Sequence, residues 1–271
     1  MSATETGTES KYRAPALDKG LDIIELLAEQ PGGLTRAEIV KAMGRRPGEI
    51  YRMLERLVAR RYVSRSLEGD RYALSLKLFL LSHAHPPLRR LTAQAQPLLD
   101  AFAQETAQSI HLAILEQASA VVVAQASSPG DWEFRLKIGA SLNLISTGSG
   151  KTLLAFQADQ RSAELAARAR GLSAEAHAAS GDDLREELYP IRAAGYRVSA
   201  SGQLVGVTDI SVPLLDRSGE AFGVLTCPYI AREQPSGSEN ATPGIDETRL
   251  HMQKLSTHFC EPPTDSRDQQ P

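Results

Sequence analysis

The sequence predicts an α+β protein of two domains, a winged helix-turn-helix over residues 12–75 and an antiparallel sheet with packed helices over residues 88–260. Three observations carry this prediction. Two short helix patterns flank a tight basic joint and precede a Glu-Gly-Asp turn. An apolar run follows from Leu74 to Leu81, and the chain then alternates between helix and strand patterns. With 271 residues and 42 % hydrophobic residues, the chain can form two compact cores.

The helix-turn-helix is predicted from its end signals. Thr35 with Glu38 three residues later forms a capping box, in which each side chain satisfies a free amide of the first turn, and Gly44 ends that helix. Pro47 suits the first turn of the second helix. That helix carries an apolar stripe at i, i+4 and i+7, formed by Ile50, Leu54 and Leu57.

A β-hairpin is predicted to follow as the wing. Tyr62-Val63 and the run from Arg71 to Leu74 resemble strands, and the residues from Leu67 to Asp70 join them. The Glu-Gly-Asp sequence in this connection suits a turn that needs a residue with positive φ.

Positive charge is concentrated in the same segment. Residues 36–65 hold nine Lys or Arg against three acids, a net of +6, although the whole chain carries −3, so the remainder carries −9. A compact basic segment on an acidic protein favours local phosphate binding and argues against indiscriminate coating of nucleic acid. An alternative interpretation is a solvated, charged helix face.

An apolar helix is predicted between the domains, over residues 76–87. The run from Leu74 to Leu81 is too apolar for a solvated linker, and it ends before Pro86-Pro87. Because one helix and one wing cannot cover this surface, we expect a second copy of the chain to pack on it, giving a homodimer or a homotetramer. The alternative is a core contact within one chain.

The second domain is predicted in order along the chain. A long helix over 88–106 precedes strands over 110–115 and 121–126, then helices over 148–157, 161–170 and 183–194, strands over 196–199, 207–214 and 223–227, and a closing helix over 245–259. Residues 216–220 suit a hairpin turn.

The segment from Gly148 to Thr152 resembles a nucleotide-binding loop but fails on spacing. Its Gly-Lys-Thr ending would need a glycine five residues before Gly150, and that position is Ile145. A glycine-rich turn at a helix start still exposes backbone N–H groups that favour a small anion. An ordinary helix start is the alternative.

No catalytic or metal-binding motif is found. The six histidines have no Glu-x-x-His or Cys-x-x-Cys partner, and Cys227 and Cys260 lack metal-type spacing. We therefore expect no metal and no cofactor. No signal peptide or apolar span is visible, so we expect a cytoplasmic protein with no membrane partner, and residues 1–11 and 261–271 are predicted to be disordered tails.

Several segments together resemble the IclR family of bacterial transcriptional regulators over about residues 14–259. In the first domain these are the residues from Ala16 to Leu27, Gly33-Leu34-Thr35, the residues from Ile50 to Leu54, and Tyr62-Val63. In the second domain the blocks 146–155, 195–198 and 206–213 appear in the family's order. The resemblance implies a ligand-responsive regulator of double-stranded operator DNA, controlling a catabolic operon, with a GAF-like effector-binding domain.

The DNA-contacting residues are predicted from the geometry of the second helix, whose first turns point into the major groove. The candidates are Arg45, Arg46, Glu49, Tyr51 and Arg52. Thr35, at the start of the preceding helix, is a further candidate for DNA contact. Arg56, Arg65 and Arg71 are expected at phosphates. This chain has Gly48 and Glu49 where the family usually has a short polar pair, and Glu49 suits either cytosine N4 or the helix dipole.

The family resemblance also implies an effector site, with Gly148, Ser149, Asp209 and Thr226 as contacts. Asp209 stands where relatives often have a cysteine or an apolar residue, and a carboxylate there would repel a bound carboxylate unless it is protonated or paired. A hydroxyl-bearing effector such as a sugar acid or a polyol is therefore favoured, as is an effector with a positively charged group. The wider class of expected effectors comprises sugar acids, aromatic acids and short carboxylates. Strand alternation allows the alternative that Asp209 faces solvent.

Two other classes of function stay open at this point. One is a small-molecule enzyme with an accessory N-terminal domain, which would turn over a substrate. The other is a sensor that acts through protein contacts, which would not bind DNA.

Overall fold

The computed structural model describes residues 14–67, 70–129, 134–171, 181–231 and 243–259. It divides into two compact units between residues 85 and 86. The predicted tails and the Glu68-Gly69 pair of the wing turn lie outside the described residues.

The first unit contains four helices and a small sheet within the described residues. The elements are α1 (Pro15–Ala28), β1 (Leu34–Thr35), α2 (Arg36–Met43), α3 (Pro47–Ala59), β2 (Val63–Arg65), β3 (Arg71–Leu74) and α4 (Lys77–Ala84). The sheet is antiparallel in the order β1-β3-β2. Strand β1 was not predicted: its two residues pair with β3 through Leu34 opposite Tyr72, a contact that is visible only once the wing has folded.

The predicted end signals of the helix-turn-helix are confirmed. The Thr35 hydroxyl accepts from the amide of Glu38, and the Thr35 amide donates to the Glu38 carboxylate at 2.7 Å. Gly44 ends α2 in the left-handed region, with φ of 59°. Ile50 and Leu54 are fully buried on α3, in a core that also contains Ile23 of α1. This core fixes which face of α3 points outward.

The second unit is a six-stranded antiparallel sheet with helices on both faces. The strands are β4 (Ile110–Glu116), β5 (Ser119–Ala126), β6 (Ser141–Asn143), β7 (Arg197–Ala200), β8 (Thr208–Leu215) and β9 (Ala221–Tyr229), in the order β6-β5-β4-β9-β8-β7. The helices are α5 (Pro86–Thr106), α6 (Gly148–Ala155), α7 (Asp159–Ala169), α8 (Gly181–Ala194) and α9 (Ile245–Ser256). The predicted order of elements is confirmed, and β6 is a further strand that was not predicted.

The two sheet faces bury separate cores. One contains Leu99 of α5, Leu112 of β4 and Met252 of α9, and the other contains Leu153 of α6, Val224 of β9 and Leu188 of α8. Strands β4, β5 and β9 contribute buried residues to both cores, so these three strands are covered on both faces. Polar side chains at the end of the α6 face interrupt this apolar pattern, and they form the cavity described below.

Candidate nucleic-acid interface and ligand cavity

Helix α3 presents a cationic, exposed face. Arg45 and Arg46 precede its first turn, and Arg52 and Arg56 follow on the helix itself; all four are exposed to solvent. Since Ile50 and Leu54 bury the opposite side of α3 in the core, Arg52 and Arg56 are directed outward. This face can meet a polyanion without rearrangement of the core.

Tyr51 is exposed on the same face, and the guanidinium of Arg36 lies over its ring at 5.6 Å from the centroid. This cation–π contact links the start of α2 to the outer face of α3. It holds an aromatic ring and a positive charge side by side on the surface.

Glu49 is occupied by a partner within the protein. Its Oε2 accepts from Lys19 Nζ of α1 at 2.8 Å, and this bond, together with the Lys19 charge, lowers the pKa of Glu49. Of the two predicted roles, the geometry therefore shows an acidic first-turn residue tied to α1. A contact between Glu49 and cytosine stays a prediction.

Three further DNA-contact candidates also brace the domain. The Thr35 hydroxyl is used in the capping box. Arg71 Nη1 donates to the carbonyl oxygen of Gly33 at 2.9 Å, which ties the wing to the turn before β1. The guanidinium of Arg65 lies over the ring of Tyr72. Their predicted contacts with DNA stay predictions.

Helix α4 carries apolar side chains that its own chain leaves exposed. It spans Lys77–Ala84 rather than the predicted residues 76–87, because the next helix, α5, already begins at Pro86. None of its residues is buried, and the exposed fractions of Phe79 and Leu80 are 56 % and 62 %. The alternative of a core contact is therefore wrong within the first unit.

The four residues predicted to contact an effector line one cavity. Gly148 and Ser149 come from the start of α6, Asp209 from β8 and Thr226 from β9, and the cavity is bounded on another side by Phe134 and other apolar groups. Asp209 faces this cavity, so the alternative that it points to solvent on the other side of the strand is wrong. The further lining residues include Leu136, Leu142, Leu204, Ser201 and His111.

Three hydroxyl groups form a chain beneath the cavity. The Thr226 hydroxyl lies 2.9 Å from that of Ser149 and 3.0 Å from that of Ser211. All three side chains are buried, so the chain also joins the start of α6 to the two neighbouring strands β8 and β9. Ser211 was not predicted, although its place two residues after Asp209 gives it the same side of β8.

The start of α6 offers backbone donors to the cavity. Thr147 caps the helix by accepting from the amide of Gly150 at 3.1 Å. Among the described residues, no acceptor is found for the amides of Gly148 and Ser149. These are the unpaired first N–H groups of a helix, at the positive end of its dipole.

Asp209 and Arg197 bring opposite charges to the same place. An added Cβ at Gly148 would lie 3.0 Å from Arg197 Nη1 and 3.6 Å from the Asp209 Cβ, so both side chains pack directly against the helix start. Burial raises the pKa of Asp209, while a hydrogen bond from Ser201 and the charge of Arg197 act in the opposite direction. Sequence analysis missed Arg197; pairing of Ser199 with Asp209 brings β7 close enough to supply it.

His111, like Ser211 and Arg197, was not predicted as a site residue. It is 5 % exposed, lines the cavity, and its Nε2 atom is buried without a hydrogen-bond partner. Burial lowers the pKa of His111 to about 4, so the ring is neutral near pH 7. The available signal was its alternation with Leu112 on β4, which places the two on opposite faces.

A larger cavity, of about 520 Å³, lies elsewhere in the second unit, between α6, α7 and α8. Asp159, Arg185 and Arg192 form ion pairs at its rim. Gln157 also lines it, and its Nε2 donates to the Ala221 carbonyl at 2.7 Å. None of the four predicted effector contacts lines this cavity.

The Gly-Lys-Thr segment is occupied by structural contacts. Lys151 pairs with Glu187 of α8, and the Thr152 hydroxyl donates to the Gly148 carbonyl at 2.9 Å. Neither side chain is placed as a nucleotide site requires. Across the described ranges, no cluster of three potential metal ligands occurs. Nor does any helix there have the length and hydropathy to span a bilayer.

Family models match both units. A model described as the IclR helix-turn-helix domain matches residues 16–66, and one described as the C-terminal region of the bacterial transcriptional regulator IclR matches residues 88–233. The second match alone covers more than half of the chain.

Individual relatives cover most of the chain. It is 24 % identical to the transcriptional repressor IclR of Escherichia coli, over 78 % of each chain. It is 27 % identical to the glycerol operon regulatory protein of Streptomyces coelicolor, over 78 % of this chain and 82 % of that one. In fold it resembles an IclR homologue from Microbacterium hydrocarbonoxydans complexed with 4-hydroxybenzoate, with a TM-score of 0.69, 17 % identity and coverage of 90 % and 97 %. The capped helix-turn-helix, the antiparallel sheet and these matches identify the chain as a DNA-binding transcriptional regulator that belongs to the IclR family.

Proposed function

We propose that this regulator controls a catabolic operon in response to a small metabolite. Its first unit binds double-stranded operator DNA through the cationic face of α3, and the cavity at the start of α6 binds the effector. The observation that carries this proposal is the exposed set of arginines on a helix whose other side is fixed in the core. The protein acts in the cytoplasm, as neither enzyme nor membrane component, and needs no cofactor.

We assign base-edge or phosphate contacts to the exposed residues of the α3 face. Arg46 and Arg52 are the main contacts, since they flank the N-terminal turns that enter a major groove. Arg45, Tyr51 and Arg56 extend the same surface, and Thr35, Glu49, Arg65 and Arg71 act mainly by bracing it.

The relatives' names support a metabolic role. One is named for a glycerol operon, and one homologue of the same fold was crystallised with 4-hydroxybenzoate. We therefore propose an effector from the sugar acids, aromatic acids or short carboxylates. Gly148, Ser149, Asp209 and Thr226 surround it.

We propose that α4 pairs with its copy in a homodimer, which a homotetramer can contain. Leaving Phe79 and Leu80 in water costs free energy that packing against a second copy recovers, and a two-fold pair of units matches a palindromic operator. Light scattering on the full-length chain checks this proposal. The Phe79→Glu, Leu80→Glu double substitution should halve the particle mass.

The central experiment is a gel shift with DNA from immediately upstream of the protein's own gene. Binding should weaken steeply with salt, because each neutralised phosphate releases counterions, and one member of a panel of small acids should change the shift. Failure to shift this DNA at low ionic strength, with or without cell extract, would contradict the proposal. Turnover of a panel compound would instead indicate an enzyme.

A further inference from the structure

We propose that His111 recognises a hydroxyl group of the effector, and that the ligand of the α6 cavity is therefore a small hydroxycarboxylate. This inference rests on the proposed function, because it concerns the same cavity. It adds a contact residue and narrows the class of ligand.

The geometry begins with a buried nitrogen that has no partner. His111 Nε2 is buried and makes no hydrogen bond to any described residue, although its ring lines the cavity. A buried polar atom without a partner is destabilising, and such groups are uncommon in proteins generally. A ligand that satisfies this nitrogen removes that destabilisation. The unpaired atom therefore indicates where a polar group of the ligand lies.

The state of the ring limits what that group can be. Buried imidazole is neutral here, so one ring nitrogen carries a proton and the other accepts. A hydroxyl group can either accept from Nε2–H or donate to bare Nε2, and it fits both tautomers. A carboxylate fits only one of them. An aliphatic or halogen group fits neither.

Neighbouring groups favour the same ligand group. The register pairs His111 with Thr226, and Thr226 with Ser211, so the three occupy adjacent strands. The Thr226 hydroxyl is already engaged by Ser149 and Ser211. Asp209 borders the cavity and, when ionised, only accepts hydrogen bonds. A ligand hydroxyl can donate to Asp209 as well as meet His111.

At the start of α6, the protein supplies hydrogen-bond donors, so the ligand group there has to be an acceptor. The amides of Gly148 and Ser149 are donors for which the described residues supply no acceptor, and they stand at the positive end of an eight-residue helix. Arg197 adds a guanidinium beside Gly148. These donors suit a carboxylate. An apolar wall of Phe134, Leu136 and Leu142 then receives the ligand's carbon skeleton.

The test compares acids that differ by one hydroxyl group. Lactate with propionate, 3-hydroxybutyrate with butyrate, 4-hydroxybenzoate with benzoate, and gluconate are titrated into the full-length protein by calorimetry. At least one hydroxylated acid should bind, and about tenfold or more tighter than its deoxy partner, because a site built for a hydroxyl rejects a ligand that leaves its polar groups unpaired.

Two substitutions of His111 test whether this residue causes the preference for the hydroxylated acid. His111→Phe keeps the ring shape but should bind both members of the pair equally. His111→Gln, which retains a hydrogen-bonding group, should keep part of the preference, and it serves as a second variant if the phenylalanine protein does not fold. Gln157→Met in the larger cavity is the matched control and should leave both affinities unchanged.

Any one of the following results would overturn the inference. They are equal binding of both members by the wild type, as expected if Nε2 meets only water; a preference that survives in His111→Phe; and a loss of binding in Gln157→Met alone. Absence of binding by every hydroxylated acid also overturns it. Operator binding by the same preparation separates these outcomes from a failure of the proposed function.

Discussion

The two functional regions are built in opposite ways. The α3 face gathers its charged groups from one continuous segment, residues 45–56, and leaves them in solvent. The cavity takes its polar groups from β4, the start of α6, the segment that follows β7, and strands β8 and β9; of these groups, His111, Ser149 and Thr226 are buried. The α3 face therefore depends on one local segment, whereas the cavity depends on the register in which distant strands pair.

This difference predicts different responses to substitution. An exposed arginine can be removed with little effect on folding, because it leaves no cavity and no unpaired buried atom. A polar residue in the cavity is coupled to its neighbours through hydrogen bonds such as the one between Ser149 and Thr226. Substitutions at four places in the structure test this difference, and they follow in decreasing order of expected effect.

The Gly150→Ala substitution should be the most damaging change. An added Cβ would lie 2.5 Å from the Asn143 carbonyl oxygen and even closer to the Leu144 Cα, and backbone cannot move aside as a side chain can. We expect the free energy of unfolding to fall by about 3 kcal/mol, measured by urea titration.

Gly20→Ala is the control for that experiment. Gly20 lies in α1 with no atom within 4 Å of an added Cβ, so alanine should stabilise the helix by up to about 1 kcal/mol. Equal stabilities for the Gly150 variant and the wild type would show that the start of α6 can be displaced. That result would contradict the expectation that the backbone at Asn143 and Leu144 cannot move aside.

The Arg46→Ala, Arg52→Ala double substitution should weaken operator binding by about 10- to 100-fold while leaving the melting temperature nearly unchanged. The slope of log affinity against log salt should fall by about one for each phosphate that is no longer neutralised. Fluorescence anisotropy with labelled operator measures both quantities. Arg161→Ala removes an exposed arginine of the second unit and should change neither. An unaltered salt slope in the double variant would remove α3 from the interface.

The Asp209→Ala substitution should leave the gel shift intact and change the response to ligand. We expect the effector concentration at half-response to rise by about tenfold, because the cavity then lacks a buried acceptor for the ligand. An unchanged ligand response would mean that the cavity assignment is wrong.

The Asp209→Asn variant adds a pH test of burial. Because burial raises the pKa of Asp209 in the folded state, the neutral carboxyl's contribution to stability is present below pH 3.8 and is lost as pH rises through the raised value. Asparagine stays neutral. The melting temperature of the variant relative to the wild type should therefore increase from acidic to neutral pH. A constant difference would place Asp209 in a water-like environment.

The Glu49→Gln substitution should have the smallest effect. Its carboxylate is held by Lys19 at the surface, and exposed pairs of this type contribute little, so operator affinity should change by less than about fivefold. Lys19→Met should produce the same change if bracing is the common cause. A change in preferred base at one operator position, seen only with the Glu49 variant, would instead indicate contact with cytosine.

The first unit was predicted in most of its details because its signals are local. The Thr35 capping box, the Gly44 stop and the Pro47 start each depend on residues a few positions apart, and each is present in the structure. Strand β1 was missed because two residues carry no periodicity. Its pairing with Tyr72 depends on a wing that lies almost forty positions along the chain.

The cavity was predicted only in part. The family resemblance supplied Gly148, Ser149, Asp209 and Thr226, which do lie together. His111 and Arg197 were missed, because their proximity follows from the pairing of β4 with β9 and of β7 with β8. No local spacing in the sequence encodes that register. No ligand motif lies beside His111 in the sequence, because its neighbours in the cavity come from other strands and from the start of α6.

The trio of hydroxyls at Ser149, Thr226 and Ser211 has a consequence for how such a pocket can change its ligand. Three O–H groups joined by two bonds retain one spare proton, and reversing both bonds moves that proton from one end of the trio to the other. Ser149 can thus present either a donor or a lone pair to the cavity while every heavy atom stays in place. A descendant that adopts a new metabolite could keep this trio and alter only the side chains around it.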